Sequence, residues 1–147
     1  MDWKATKWRT VAELTVLVKP VAKGRPKATS AGGFVSMYTP KTTRDYEKKI
    51  RTEYECSGNG LCKGPLWISV HCIFSPNKSE TKKAREGMIA GRIHHQKKPD
   101  LDNCVKSVLD ALNGTAYEDD SDIVRISATK SYGETDNVKI VIRELED

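Results

Sequence analysis

A chain of 147 residues can bury one core but not two independent ones, so one domain over residues 1–147 is expected. No apolar run approaches the roughly 20 residues of a membrane span, and the opening residues Asp2, Lys4, Lys7 and Arg9 lack the hydrophobic stretch of a secretion signal, so a cytoplasmic protein is expected. The net charge of +5 is unevenly divided: residues 1–99 hold 20 Lys and Arg against 8 Asp and Glu, and residues 100–147 hold 5 against 12. A basic body around an acidic segment draws in polyanions while keeping carboxylates in reserve.

Residues 1–11, with Trp3 and Trp8, show no period and read as an N-terminal arm. The run Glu13-Leu14-Thr15-Val16-Leu17-Val18 is rich in β-branched residues and stops at Pro20, which predicts a first strand. Lys19 to Thr39 carries turn signals at Gly24-Arg25-Pro26-Lys27 and Gly32-Gly33, so Lys23, Arg25 and Lys27 sit on a loop that offers cations to a DNA backbone. A helix opens at Thr39-Pro40 or Thr42 and runs to about Glu55, with Tyr46, Ile50 and Tyr54 one turn apart facing inward. After a glycine-rich loop over 57–64, Leu66 to Phe74 is almost continuously apolar, the pattern of a central strand with both faces covered.

His71 within that strand is better read as a hydrogen-bonded sheet residue than as a metal ligand. Ser79 or Thr81 can cap a short basic helix reaching Gly91. Cys56, Cys62, Cys72 and Cys104 have the spacing of neither a disulfide framework nor a zinc site, and reduced thiols are expected. His94 and His95 are adjacent, so they cannot easily point at one ion from an extended chain; with Arg92, Lys97 and Lys98 they mark a path for phosphate.

The densest chemistry begins at Lys97-Lys98-Pro99-Asp100. Pro99 keeps Lys98 out of helix, and Asp100 or Asp102 can cap the helix that follows. Leu101, Val105, Val108, Leu109 and Leu112 form its apolar face, while Asp102, Lys106 and Asp110 recur every four residues as a polar stripe. Acids at a helix start with a lysine one turn on are also ordinary surface chemistry. The second acidic run, Glu118-Asp119-Asp120-Ser121-Asp122, follows an Asn113-Gly114 break and is expected to fold back towards the helix start or the sheet edge beside it. Carboxylates gathered in that way repel unless a cation sits among them, and the donor type suits Mg²⁺ or Mn²⁺.

Ile123 to Tyr132 and Val138 to Arg143 alternate as strands around a turn at Gly133–Asn137 and are expected to pair antiparallel, with Arg125 and Lys130 flanking the site. Together these elements predict an α/β (α+β) fold, a mixed sheet of about four strands with two main helices packed on it.

The run Asp100-x-Asp102-Asn103-x-x-Lys106-x-x-x-Asp110-Ala111-Leu112-Asn113-Gly114, followed by Glu118-Asp119-Asp120-Ser121-Asp122-Ile123, resembles the signature of the RusA family of Holliday-junction resolvases, small endonucleases common in phages and prophages. The Arg25-Pro26 element after the first strand is similar to one such chains often carry. The resemblance implies a RusA-like homodimer that binds four-way DNA junctions and nicks opposed strands in recombination and repair. It implies Mg²⁺, with Mn²⁺ able to substitute, and no small-molecule cofactor. By matched position the catalytic set falls on Asp100, Asp102, Lys106 and Asp120, and the metal ligands on Asp100, Asp102 and Asp120, with Asp119 the rival for the third place. A different class stays open: a non-catalytic junction-binding or phage accessory protein, whose acidic loop would be a docking surface.

Overall fold

The computed structural model describes residues 6–23, 27–29, 36–38 and 40–146, with backbone alone for 27–29 and 36–38. Along them run β1 (Trp8–Val16), β2 (Lys27–Thr29), β3 (Ser36–Tyr38), α1 (Lys41–Ser57), β4 (Leu66–Phe74), α2 (Lys82–Ile89), α3 (Leu101–Leu112), β5 (Ile123–Tyr132) and β6 (Asn137–Leu145). β1 begins at Trp8, so residues 8–11 belong to the sheet and not to an arm. Pairing explains the extension: β1 runs antiparallel to β6 from Trp8 opposite Leu145 to Val16 opposite Val138, with an irregularity between Thr10 and Ala12.

The main sheet is mixed and four-stranded, in the order β1-β6-β4-β5, and β2 pairs with β3 in a separate ribbon. The expected hairpin between the last two strands does not form. β4 lies between them, parallel to β5 with Ile68 opposite Ile126, and antiparallel to β6 with Ile68 opposite Ile142. A strand that is apolar on both faces gains from two partners, and Ile68, Val70 and Cys72 are fully buried there.

The link from β5 to β6 therefore crosses the end of β4. The Gly133 amide donates to the Phe74 carbonyl at 3.0 Å, and Asp136 Oδ1 accepts from the Ser75 amide at 2.7 Å and its hydroxyl at 3.1 Å. Gly133 fits closely there, since a Cβ would lie 2.6 Å from Ile73 Cγ2 and force that side chain to shift. β4, α2, α3 and β5 thereby form a parallel crossover unit, and sites in such units lie outside the carboxyl ends of the strands.

Tyr46, Ile50 and Tyr54 of α1 and Val108, Ala111 and Leu112 of α3 are buried with Val70, Ile140 and Ile142 in one cluster. Each fully buried Leu or Ile of this kind contributes about 2 kcal/mol relative to exposure. The buried face of α3 is wider than its apolar pattern, because Cys104 and Ser107 are also fully covered. The Ser107 hydroxyl donates to the Val21 carbonyl at 2.6 Å, and the Lys23 amide donates to the Asn103 carbonyl at 3.1 Å. These bonds strap the segment after β1 along the helix that carries the central motif.

Candidate active site

Asp100 occupies the N-cap position of α3, yet its side chain accepts no helix N–H. Its carboxylate instead meets Lys98 Nζ at 2.7 Å. A capping Asp typically contributes about 1 kcal/mol, so this orientation forgoes stabilisation at a place where the sequence supplies the right residue for it. The pair with Lys98 is exposed on both sides, and such pairs contribute about 0–1 kcal/mol, which leaves the carboxylate easy to recruit. Asp102 is exposed in the first turn and accepts its neighbour's amide on Oδ1 at 2.9 Å. Lys106 is exposed one turn further on. Beneath them the thiol of Cys104, near Asp100 and Asp102, is hydrogen-bonded with Cys72 of β4. That bond and burial hold the Cys72 thiol well above its ordinary range. All four cysteines are free.

The acidic run is held elsewhere. Ala116 and Tyr117 are fully buried; the Tyr117 hydroxyl donates to the Leu109 carbonyl at 2.5 Å, and the Cys62 amide donates to the Ala116 carbonyl at 2.7 Å. Asp122 packs so closely on Gly64 that a Cβ there would meet its Cβ at 2.8 Å. Asp119 and Asp120 thus sit with Asp110 around Tyr117, whose hydroxyl is pushed up by burial and by these three carboxylates.

Asp102 and Asp110 are separated by about 12 Å of helix. Lys130, which bonds the chain just before Asp100, is about 23 Å along β5 from Ile123. Among the described residues no three His, Cys, Asp or Glu side chains come together to hold a metal ion. One chain therefore places Asp100 and Asp102 at one end of α3 and Asp110, Asp119 and Asp120 towards the other, with Lys106 midway along the helix. The fold-back of the acidic run to the helix start is not observed: the run lies at the start of edge strand β5.

Asp119 Oδ2 accepts the Ser121 amide at 3.2 Å and caps the short 3-10 turn Asp120–Asp122; its bonds to Ser121 hold its carboxyl below the usual range. Asp120 is exposed.

The expected DNA contacts divide similarly. Lys97 and Lys98 are exposed beside Asp100, with Lys97 Nζ 3.5 Å from Glu80, and Arg92 is exposed. Lys23 is not presented outward: its ammonium lies 2.6 Å from Glu47 and 3.1 Å from Asp110, which compensate its charge and fix it to α1 and α3. Arg25, and the side chain of Lys27, lie outside the described residues. Arg125 stacks over Trp67 at 3.8 Å on the sheet face away from the helices, with Arg143 at 4.1 Å over the same ring.

A family model described as Endodeoxyribonuclease RusA matches residues 18–143. The chain belongs to the RusA family. Its relative YqaN of Bacillus subtilis (strain 168), an uncharacterized protein, is 33% identical over 137 residues, covering 90% of this chain and 96% of the relative. The RusA match begins just after β1 and runs into β6, so the family pattern extends beyond the central motif to α1, β4, the crossover, β5 and most of β6. Among the described residues no helix is long and apolar enough to cross a membrane.

Two residues near Asp100 have roles that the residue pattern understated. Lys130 Nζ donates to the carbonyls of Lys97 at 2.7 Å and Pro99 at 3.1 Å, fixing the approach to the RusA motif. The signal was its parity: Lys130 shares the inward face of β5 with Ile126 and Ala128. His95 does not lie along a phosphate path. It is buried, stacked on Phe74 at 4.2 Å, with Tyr132 at 5.0 Å. His71 is the expected sheet residue, with Nδ1 2.6 Å from Thr129 Oγ1.

Burial, with Lys130 and Lys97 nearby, holds the His95 pKa below its ordinary value. The unfolded chain then takes up the proton first as pH falls, so this site's stability is complete above about 6.5 and is lost on acidification towards the lower folded value. His95→Phe, which keeps the stack, is expected to flatten the fall in urea-unfolding free energy between pH 7.5 and 5.5. An unchanged slope would contradict this.

Proposed function

We propose that this chain is a Mg²⁺-dependent endonuclease that resolves Holliday junctions in cytoplasmic DNA by paired nicks in opposed strands, as a homodimer. The observation that carries this is the uncapped Asp100: a carboxylate at a helix N-cap turned away from the helix, with Asp102 and Lys106 on the same exposed stripe and lysines around them. The donors fit the ion, since Mg²⁺ takes one or two carboxylates together with waters and substrate phosphate. Asp100 and Asp102 would hold it, and the bound ion would activate water and neutralise charge building on the phosphate. Lys106 would face a non-bridging oxygen of the same phosphate, and Lys97 and Lys98 would steer the backbone in.

The third carboxylate would come from a second copy. Among the described residues β5 is an edge strand, and beside its unpaired side Val124 and Ile126 are 64% and 48% exposed. If two β5 strands pair antiparallel about a two-fold axis, the start of one lies beside the end of the other. That end is where Lys130 anchors the chain before Asp100, so Asp119 and Asp120 of one protomer would approach Asp100 and Asp102 of its partner. Asp119 already caps its turn, which favours Asp120 as the ligand.

A second view draws on the separation of the carboxylates within one chain: a junction-binding protein that does not cut. Incubation with four-way, forked and linear DNA decides between them. Paired nicks in the four-way junction with Mg²⁺ and none in EDTA are expected; binding without nicking at any Mg²⁺ concentration would leave the non-catalytic view standing.

A further inference from the structure

We infer that the narrow pocket at the carboxyl ends of β4 and β5 receives one unstacked nucleobase of the strand being cut, an inference that rests on the nuclease reading above. The pocket has a volume of about 160 Å³, is walled by Phe74, His95 and Tyr132, and opens beneath Lys97, Lys98 and Pro99, the residues that lead into Asp100. A phosphate lodged at Asp100 and Asp102 therefore has its own or its neighbouring base within reach of this opening. That volume has room for one flat heteroaromatic ring.

The chemistry of the walls favours a base over a phosphate. The two exposed lysines stand at the mouth, where they would meet the backbone, and the walls behind them are aromatic. His95, 8% exposed, contributes an aromatic ring, and its Nδ1 is buried with no hydrogen-bond partner. Aromatic walls with a few polar groups are the chemistry that holds extruded bases: rings to stack on, and groups to read an edge. Asn77 and Glu80 line the same pocket and supply an amide and a carboxylate acceptor for that edge.

The test uses the full-length protein and four-way junctions in EDTA, so that binding is read without cutting. 5-Iodouracil is placed singly at each position within three nucleotides of the crossover, irradiated in the complex, and the crosslinked residue is identified by mass spectrometry. Crosslinking from one position to His95, Tyr132 or Phe74 is expected. Crosslinks that reach only Lys97, Lys98 or other surface residues, or none at any position, would overturn the proposal.

As a second measure, binding to junctions that differ only in the base at the crosslinking position is expected to span about fivefold or more for the wild type. The exposed variant Asn77→Ala is expected to compress this to within twofold; an unaltered spread in Asn77→Ala would exclude base reading. Addition of Mg²⁺ to the same complexes separates the two ideas, because nicking without an aromatic crosslink rejects the pocket and keeps the nuclease, whereas an aromatic crosslink without nicking does the reverse.

Discussion

Asp102→Asn is expected to lower Mg²⁺-dependent nicking of a four-way junction at least ~100-fold while leaving junction binding in EDTA within about twofold. The substitution keeps the shape of the side chain and the hydrogen bond it accepts from the Asn103 amide, so α3 has no reason to unravel. It removes one negative charge from an exposed position beside Lys98 and Lys106, which does nothing to weaken attraction to phosphate. What it takes away is a hard anionic ligand, and losing one preorganised electrostatic contact costs about 3–4 kcal/mol of transition-state stabilisation. Cleavage at the wild-type rate would mean that the stripe on α3 is surface chemistry after all.

Ile126→Lys is expected to do comparable damage from a distance. Ile126 sits on the outer strand of the sheet and is about half exposed, so in a lone chain a lysine there should change folding stability by no more than about 0.5 kcal/mol. Across an antiparallel pair of β5 strands, however, two lysines would face one another near the symmetry axis, and like charges placed opposite each other are destabilising. Sedimentation is expected to show a monomer with unchanged circular dichroism, and nicking is expected to fall at least ~100-fold because Asp119 and Asp120 no longer reach a partner. A variant that stays dimeric and active would place the contact between copies on another surface.

The sequence carried most of the fold because its signals were local. Tyr46, Ile50 and Tyr54 repeat at helical spacing and are buried, and Leu66 to Phe74 is an inner strand as its unbroken apolar run implies. What failed was order across the sheet. Two alternating strands joined by Gly133-Glu134-Thr135-Asp136 look like a hairpin, and nothing within them reveals that β4 slides between; the tell-tale groups, Gly133 against Ile73 and Asp136 on Ser75, become informative only when β4 is in place.

The candidate site was legible in identity and not in placement. Asp100, Asp102 and Lys106 lie along one helix as their spacing requires, but the position of Asp119 and Asp120 is set by the bond of Tyr117 to α3 and by the loop that holds Cys62 and Gly64, contacts remote in sequence from the acidic run or invisible in it. Lys23 shows the same limit: a cation on a predicted DNA-facing loop is compensated by Glu47 and Asp110, of which only the second belongs to the motif.

Mixing two inactive proteins tests most directly whether the carboxylates act across two copies. Asp102→Asn alone and the double variant Asp119→Asn/Asp120→Asn alone are each expected to be inactive. In a mixed dimer one site collects both lesions and the other collects none, so an equal mixture with free exchange of subunits should regain about a quarter of the wild-type sites and yield single nicks in the junction. A mixture shown to exchange subunits but no more active than either parent would contradict shared sites.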